Sequence, residues 1–264
     1  MLRIENVYKT FNPGTINEKV ALNGVNLTLN KGDFVTVIGG NGAGKSTLLN
    51  AVCGVWKPDS GKIIIDGSDV TSMPEYKRAK FLGRVFQDPM MGTAAGMEIQ
   101  ENLALASRRG KMRGLGWNIT RKEKEYYKEI LSQLGLGLEN RLTSKVGLLS
   151  GGQRQAVTLL MATMNSPKLL LLDEHTAALD PKTAAKVLEL SDKLISENSL
   201  TTLMITHNMR DAIKHGNRLI MMNAGKVVVD VSGEEKKKLT VEDLLKLFSQ
   251  ASGSEFNNDR AMLS

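Results

Sequence analysis

A chain of 264 residues with 41% apolar content can bury a full core, either as one large domain or as a domain carrying an inserted subdomain. Its formal charge of +7 admits nucleic acid, an anionic membrane surface or a polyanionic nucleotide as partner, but 5% aromatic content argues against a base-stacking platform. The longest aliphatic run, Leu169 to Leu172, falls far short of the roughly 20 residues that span a bilayer; the N-terminus does not read as a secretory signal, and a single cysteine, Cys53, cannot form an internal disulfide and suits a reducing cytosol.

Leu2, Ile4 and Val7 open a strand, and Val20, Leu22, Val25, Leu27 and Leu29 approach the period of two expected of a half-exposed antiparallel sheet. Asn12-Pro13-Gly14 through Lys19 is a turn-rich insert between these strands. Phe34 to Ile38 is a largely apolar strand running into Gly39-Gly40; Lys45 to Cys53 follows as a helix, with Cys53 as a small buried apolar residue, and Gly61 to Ile65 as another strand. After Val85-Phe86-Gln87 the chain becomes rich in Met, Gly and charge, with helical patches at Ile99 to Ala106 and Arg121 to Leu134. A helix after Gln153, a buried strand Leu169 to Asp173, a helix from Pro181 and a strand Thr202 to Thr206 restore the alternation of a mostly parallel α/β sheet. Leu219 to Val229 reads as a hairpin turning at Ala224-Gly225, and Thr240 caps a last helix ending near Ser249-Gln250, before a tail expected to be disordered. The expected parts are 1-87, with an antiparallel β subdomain; 88-148, helical; 149-230, the remainder of the core; and 231-264, a C-terminal helix and tail.

Three motifs carry chemistry. Gly39-Gly40-Asn41-Gly42-Ala43-Gly44-Lys45-Ser46-Thr47 has the spacing of a phosphate-binding P-loop between a strand and a helix. Its glycines let backbone N–H groups turn inward, the helix directs its positive end at the anion, Lys45 reaches the β- and γ-phosphates and Ser46 ligates Mg²⁺. Asp173 and Glu174 end an all-apolar strand, at the carboxyl edge where parallel sheets bind ligands. Asp173 is placed to hold Mg²⁺, and Glu174 to polarise the water that attacks the γ-phosphate. Ser150-Gly151-Gly152-Gln153, after Leu149, is a second anion cradle: a serine cap, two glycines for close backbone approach, and a helix N-terminus.

With Leu149 to Gln153 beside the other two motifs, the chain from about residue 2 to 230 resembles an ABC-type ATPase subunit. The resemblance implies an α/β fold, with a RecA-like P-loop NTPase core, an N-terminal antiparallel β subdomain and an inserted α-helical subdomain. It also implies ATP and Mg²⁺ as cofactors. Phe11 matches the aromatic that stacks on adenine, and Gln87 the glutamine that touches Mg²⁺ and the attacking water. Ala178-Leu179-Asp180 matches the loop between protomers, and His207 the switch histidine at the γ-phosphate. In the family the second cradle closes over ATP held by the opposite subunit, which implies a homodimer sandwiching two nucleotides. The presence of both Glu174 and His207 disfavours a non-hydrolysing binding module.

With no membrane span of its own, such a subunit implies a separate transmembrane permease and a place in the cytoplasm, peripheral on the inner face of the membrane, with no nucleic acid as partner. Gln87 to Ala94, Asp173 to Asp180 and Ser107 to Lys111 look like a bacterial importer subgroup that also uses a solute-binding lipoprotein and carries amino acids, aromatic ones included. The rival is an ABC ATPase that powers an assembly process of the iron–sulfur scaffold type. Met90, Met91 and Met97 are a soft wall for a permease helix, or ordinary core filling. Arg108, Arg109, Lys111 and Arg113 are a solvated loop, or face anionic lipid at about 1 kcal/mol per charge. His175 stands where many relatives carry proline and is assigned no chemistry; His215 is expected at a solvated helix end.

Overall fold

The computed structural model describes residues 1–111 and 119–252, with side chains through residue 250. The disordered tail expected beyond the last helix, and Arg113, lie outside the described residues. In chain order the elements are strands β1 (Leu2–Phe11), β2 (Lys19–Leu29) and β3 (Phe34–Ile38), helix α1 (Lys45–Cys53), strands β4 (Ser60–Ile65) and β5 (Ser68–Asp69), helix α2 (Glu75–Arg78) and strand β6 (Leu82–Val85). Helices α3 (Ile99–Ser107), α4 (Arg121–Ser132) and α5 (Gly151–Thr163), strand β7 (Leu169–Asp173) and helix α6 (Pro181–Glu197) follow. Then come β8 (Thr201–Ile205), α7 (Met209–Lys214), β9 (Arg218–Asn223), β10 (Lys226–Ser232), α8 (Gly233–Lys238) and α9 (Val241–Ser252).

These elements form two compact units, Met1–Arg78 with the chain from Ser199 onward, and Ala79–Asn198. The first unit holds an antiparallel sheet in the order β2-β1-β4-β5, with Leu2 opposite both Leu29 and Ile65. Alternation drives it: Leu2, Ile4 and Val7 on β1, and Leu22, Val25, Leu27 and Leu29 on β2, are buried, while intervening residues are exposed or half-buried. The same unit holds β10-β9-β3-β8, in which β3 pairs in parallel with both β8 and β9. All five residues of β3 and all five of β8 are buried, as a central parallel strand requires. Ile38, Met209, Leu219, Met221, Val231, Leu244 and Phe248 close a core between these strands and α7 and α9. Thr240 caps α9, accepting from the Asp243 N–H at 3.2 Å while Asp243 accepts from the Thr240 N–H at 3.0 Å.

In the second unit β6 and β7 pair in parallel, Val85 opposite Leu172. Ile99, Leu103, Tyr127, Leu131, Val146, Leu149, Val157 and Leu160 form one buried cluster that ties α3 and α4 to α5. Each of these helices begins with a reciprocal capping box, at Glu98/Glu101, Thr120/Glu123 and Ser150/Gln153. Asp180 caps α6 by accepting from the Thr183 N–H at 3.1 Å, with Pro181 in the first turn.

Two expectations need correction. His215 is not solvated: it is 3% exposed. Gly216, at φ +73, packs so close that a Cβ there would lie 2.3 Å from the Phe34 carbonyl oxygen. Buried Lys236 donates to the carbonyls of His215 and Gly216, so the whole turn is drawn under α8. Nor is the basic cluster a uniform solvated loop. Arg108 pairs with Glu123 at 3.1 Å, and burial lowers the pKa of half-buried Arg109; of the described members only Lys111 is exposed.

Arg78, 1% exposed, is the largest buried polar side chain of the first unit. Its guanidinium donates to the Ala51 and Val52 carbonyls at 2.7 and 2.9 Å, to Met73 at 2.7 Å and to Thr71 at 3.0 Å. It thus caps the C-terminal end of α1, where a cation also suits the helix dipole. Arg78→Met leaves those carbonyls without their donor and is expected to cost about 3 kcal/mol, a fall of roughly 10 °C in Tm. Thermal unfolding measures it, and a loss below about 1 kcal/mol would show the carbonyls finding other donors.

Candidate functional site

In the first unit, β3 delivers the chain into the phosphate loop, and its parallel neighbour β8 delivers His207. Val37 lies opposite Ile205, and the Thr206 N–H donates to the Val37 carbonyl at 3.1 Å, so both segments leave the same carboxyl edge. The glycines of the loop serve different ends. A Cβ on Gly39, at φ +151, would lie 2.3 Å from the Met222 carbonyl oxygen, and one on Gly44, at φ +101, would lie 2.4 Å from that of Ala21. Packing alone therefore demands glycine at both. Gly42, at φ +80, is exposed, and a Cβ there would meet only the Lys19 side chain. Open backbone at this point fits the approach of a phosphate.

Ala43 is buried and its carbonyl accepts from the Gly225 N–H at 3.0 Å, while Asn41 and Ser46 are exposed and Thr47 is half-buried. Helix α1 starts at Gly44 with no side-chain cap, whereas α4, α5, α6 and α7 each have one. Uncapped first-turn N–H groups are what an anion needs. Lys45 is 5% exposed, and its ammonium donates to the carbonyls of Gly39 at 2.7 Å and Gly40 at 3.2 Å. The loop thus holds its own cation in the cradle. His207 is half-buried between two local backbone devices: Thr206 Oγ1 accepts from the Asn208 N–H at 3.1 Å, and Asn208 Oδ1 accepts from the Arg210 and Asp211 N–H groups. Phe11, at the end of β1, is half-buried, its ring edge-on to Trp56 with centroids 5.3 Å apart.

In the second unit, β6 leads to exposed Gln87 and its parallel partner β7 ends at Asp173, followed by Glu174. Glu174 is half-buried with φ +47, a left-handed conformation that costs a non-glycine residue on the order of 1 kcal/mol or more. The next residue anchors this turn. His175 is 2% exposed, and its Nε2 is 3.0 Å from Ser191 Oγ on α6. Ser191 Oγ also lies 2.8 Å from the Val187 carbonyl, so the imidazole is tied through it to the backbone of α6. Asp173 Oδ2 receives an N–H from Arg84 at 3.1 Å, and the Phe86 ring stacks on that guanidinium at 4.5 Å.

Ser150 caps α5, its Oγ accepting from the Gln153 N–H at 3.3 Å while Gln153 Oε1 accepts from the Ser150 N–H at 3.2 Å. Ser150 and Gly151 are exposed; Gly152 is buried, and a Cβ on it would lie 2.1 Å from Thr183 Cγ2. The second glycine of the cradle is thus set by packing on α6, and the first is open.

Two polar side chains of this site carry no motif and escape sequence reasoning. Arg84, which fixes one oxygen of Asp173, sits in a short strand where an arginine reads as an outward-facing residue. Gln155 is fully buried on α5, and its Nε2 donates to the Phe86 carbonyl, directly before Gln87, at 3.1 Å. Its one signal was position, two residues past Gln153.

The donor chemistry suits a nucleotide and a magnesium ion. Among the described residues there is no cluster of three His, Cys, Asp or Glu side chains that could hold a metal. Mg²⁺ is commonly held by one or two protein oxygens together with phosphate oxygens and water. Exposed Ser46 in the first unit and half-buried Asp173 in the second each carry an oxygen of this kind.

Comparison with known proteins agrees with this geometry. Residues 22–177 match the family model described as ABC transporter. A tyrosine transport ATP-binding protein of Clostridioides difficile is 46% identical over 256 residues, covering 95% of this chain and 100% of that protein. The spermidine/putrescine import ATP-binding protein PotA of Haemophilus influenzae is 33% identical over 236 residues, 89% of this chain but 59% of that longer protein. Among solved structures, an ATP-binding cassette of an ABC transporter in its ADP conformation superposes with a TM-score of 0.78 at 30% identity, covering 97% of this chain and 99% of that one. A dimeric cassette in a post-hydrolysis state, bound to ADP and Pi, gives a TM-score of 0.74 at 31% identity, covering 88% and 98%. A P-loop with its lysine in the cradle, an acidic strand end and a capped second cradle, in a chain matched over this length, make it a member of the ABC transporter family: an ATP-binding cassette that hydrolyses ATP with Mg²⁺.

Proposed function

We propose that the chain drives import of an amino acid, tyrosine by preference, through a separate membrane permease. The observation that carries the substrate is the 46% identity to a tyrosine transport ATP-binding protein over that protein's whole length. The polyamine- and methionine-import relatives compared are 33–35% and 37–38% identical. Among the described residues no helix is long and apolar enough to cross a membrane, which fits a cassette peripheral on the inner face of the membrane with its permease as a second chain. A solute-binding lipoprotein would deliver the cargo.

In this reading two copies close over two ATP molecules. Phe11 stacks on adenine. Lys45 exchanges the Gly39 and Gly40 carbonyls for the β- and γ-phosphates, with N–H groups from residues 39–47 around them. Ser46, Asp173 and Gln87 would hold Mg²⁺, which would supply positive charge against the developing negative charge. Glu174 accepts a hydrogen bond from the attacking water and polarises it, and His207 orients on the γ-phosphate. Ser150, Gly151, Gly152 and Gln153 present the N-terminus of α5 to the nucleotide of the opposite copy. Met90 and Met91, both exposed, belong to the helical part that meets the permease.

Deleting the gene is expected to abolish uptake of labelled tyrosine into cells while leaving methionine and spermidine uptake intact. Plasmid-borne protein restores uptake and co-purifies a multispanning membrane protein. Unchanged tyrosine uptake in the deletion strain would overturn the substrate, and recovery of the permease would still support the transport role.

A further inference from the structure

We propose that Lys19 is an additional nucleotide-binding residue, whose ammonium holds the phosphate chain of ATP. Strand pairing places it there: in the β1–β2 register Phe11 lies directly opposite Lys19. From that position the side chain reaches the phosphate loop, with Nζ 3.3 Å from the point a Cβ on Gly42 would occupy. The residue therefore bridges the aromatic ring at one end of the nucleotide and the exposed loop backbone at the other.

A contrast with Lys9 sharpens the inference. Lys9 also lies near Phe11, its Nζ 5.7 Å from the ring centroid, but it is paired with Asp59 at 2.7 Å. The carboxylate beside Lys19 in sequence, Glu18, is turned to the Gly14 N–H at 2.6 Å. Among the described residues no carboxylate lies within ion-pair distance of Lys19. The loop it reaches is built to expose N–H groups and already contains the Lys45 ammonium. Bringing a second cation there is unfavourable on its own, and becomes favourable when a polyanion sits between the two. The Gly42 hydrogen leaves room for both the ammonium and the phosphate.

This inference rests on ATP being bound by Phe11 and residues 39–47. Its test is displacement of a fluorescent N-methylanthraniloyl-ATP from the purified full-length chain by ATP, inorganic tripolyphosphate and adenosine. Lys19→Gln is expected to weaken ATP and tripolyphosphate by the same factor, about 5- to 10-fold, and to leave adenosine unchanged. Lys19→Arg should stay within about twofold of the wild type, and the Lys19→Gln defect should shrink at about 0.5 M salt. Because Lys19 is exposed, the Tm without nucleotide should not move. Wild-type affinity in Lys19→Gln, or an equal loss for adenosine, overturns the proposal. Failure of the wild-type chain to bind the fluorescent nucleotide would instead overturn the ATP site itself.

Discussion

Glu174→Gln is expected to keep ATP binding and to lower steady-state hydrolysis by at least about 100-fold, the usual scale for loss of a general base. The substitution keeps size and hydrogen-bonding reach but removes the charge that polarises water. It also keeps the backbone: Glu174 adopts φ +47 because the chain around it is held, by the buried His175–Ser191 hydrogen bond after it and by the Ala177 N–H donating to its own carbonyl at 3.0 Å. A straight-chain amide in that held turn meets the same strain as the acid, so the fold and Tm should not change. Binding and turnover then separate. Fluorescent-nucleotide affinity within about threefold of wild type, with the ATP-bound dimer persisting because hydrolysis no longer empties it, is the expected pattern. A steady-state rate within about twofold of wild type would remove Glu174 from this role.

The elements that were legible in sequence share a physical trait: their signals are local. Strand β3, helix α1 and strand β7 occupy the stretches that the apolar runs and flanking glycines mark, because a central parallel strand shows as an unbroken apolar run and a P-loop must be followed by a helix. The hairpin turn at Ala224-Gly225 is equally local, with Ala224 at φ +45 and Gly225 at φ +75. Strand β6 is different. Leu82-Gly83-Arg84-Val85 has neither alternation nor a full apolar run, and Gly83 is there because a Cβ would lie 2.4 Å from the Ala162 carbonyl oxygen. Only the neighbour across the pair makes it a strand. The same reason hid the burial of His215, whose carbonyl is held by Lys236 of α8 and whose neighbour Gly216 packs on Phe34, both remote in sequence.

The candidate site divides along the same line. The two proposed phosphate cradles are backbone devices written in consecutive residues, so each shows in the sequence as a motif, Gly39 to Thr47 and Ser150 to Gln153. Side chains that reach in from another strand or helix were not: Lys19 towards Gly42, Arg84 onto Asp173, Gln155 onto the Phe86 carbonyl. Each is polar and unremarked by motif, and each is tied to a motif residue or its immediate neighbour. Phe11 shows the intermediate case. Its chain position matches an adenine-stacking aromatic, while its half-buried setting, edge-on to Trp56, comes from a residue remote in sequence.

The second large effect concerns which copy completes which site. Two mixed dimers carrying the same two lesions should behave oppositely. With Gly151→Asp on one chain and Lys45→Ala on the other, both lesions fall on one composite site if the cradle at Ser150 serves the opposite copy, and one site stays whole. With both substitutions on one chain and none on its partner, each composite site carries one lesion and none stays whole. If each cradle served its own P-loop, the two results would be exchanged. Gly151 is the right glycine to change. It is exposed, and a Cβ on it would lie 3.3 Å from the tip of Leu179, which can yield, whereas Gly152 is locked against Thr183 and its replacement would damage the helix itself. An aspartate at 151 sets a negative charge against phosphate; at about 4 Å and an effective dielectric of about 20 the repulsion is about 4 kcal/mol, enough to empty the site. Lys45→Ala removes the cation held at the Gly39 and Gly40 carbonyls and leaves the other copy's loop untouched. Counting nucleotides retained per dimer separates the cases without requiring the two sites to turn over independently. One per dimer is expected in the split arrangement and none when both lesions share a chain; the reverse pair of counts would place the cradle and the P-loop of one chain in the same site.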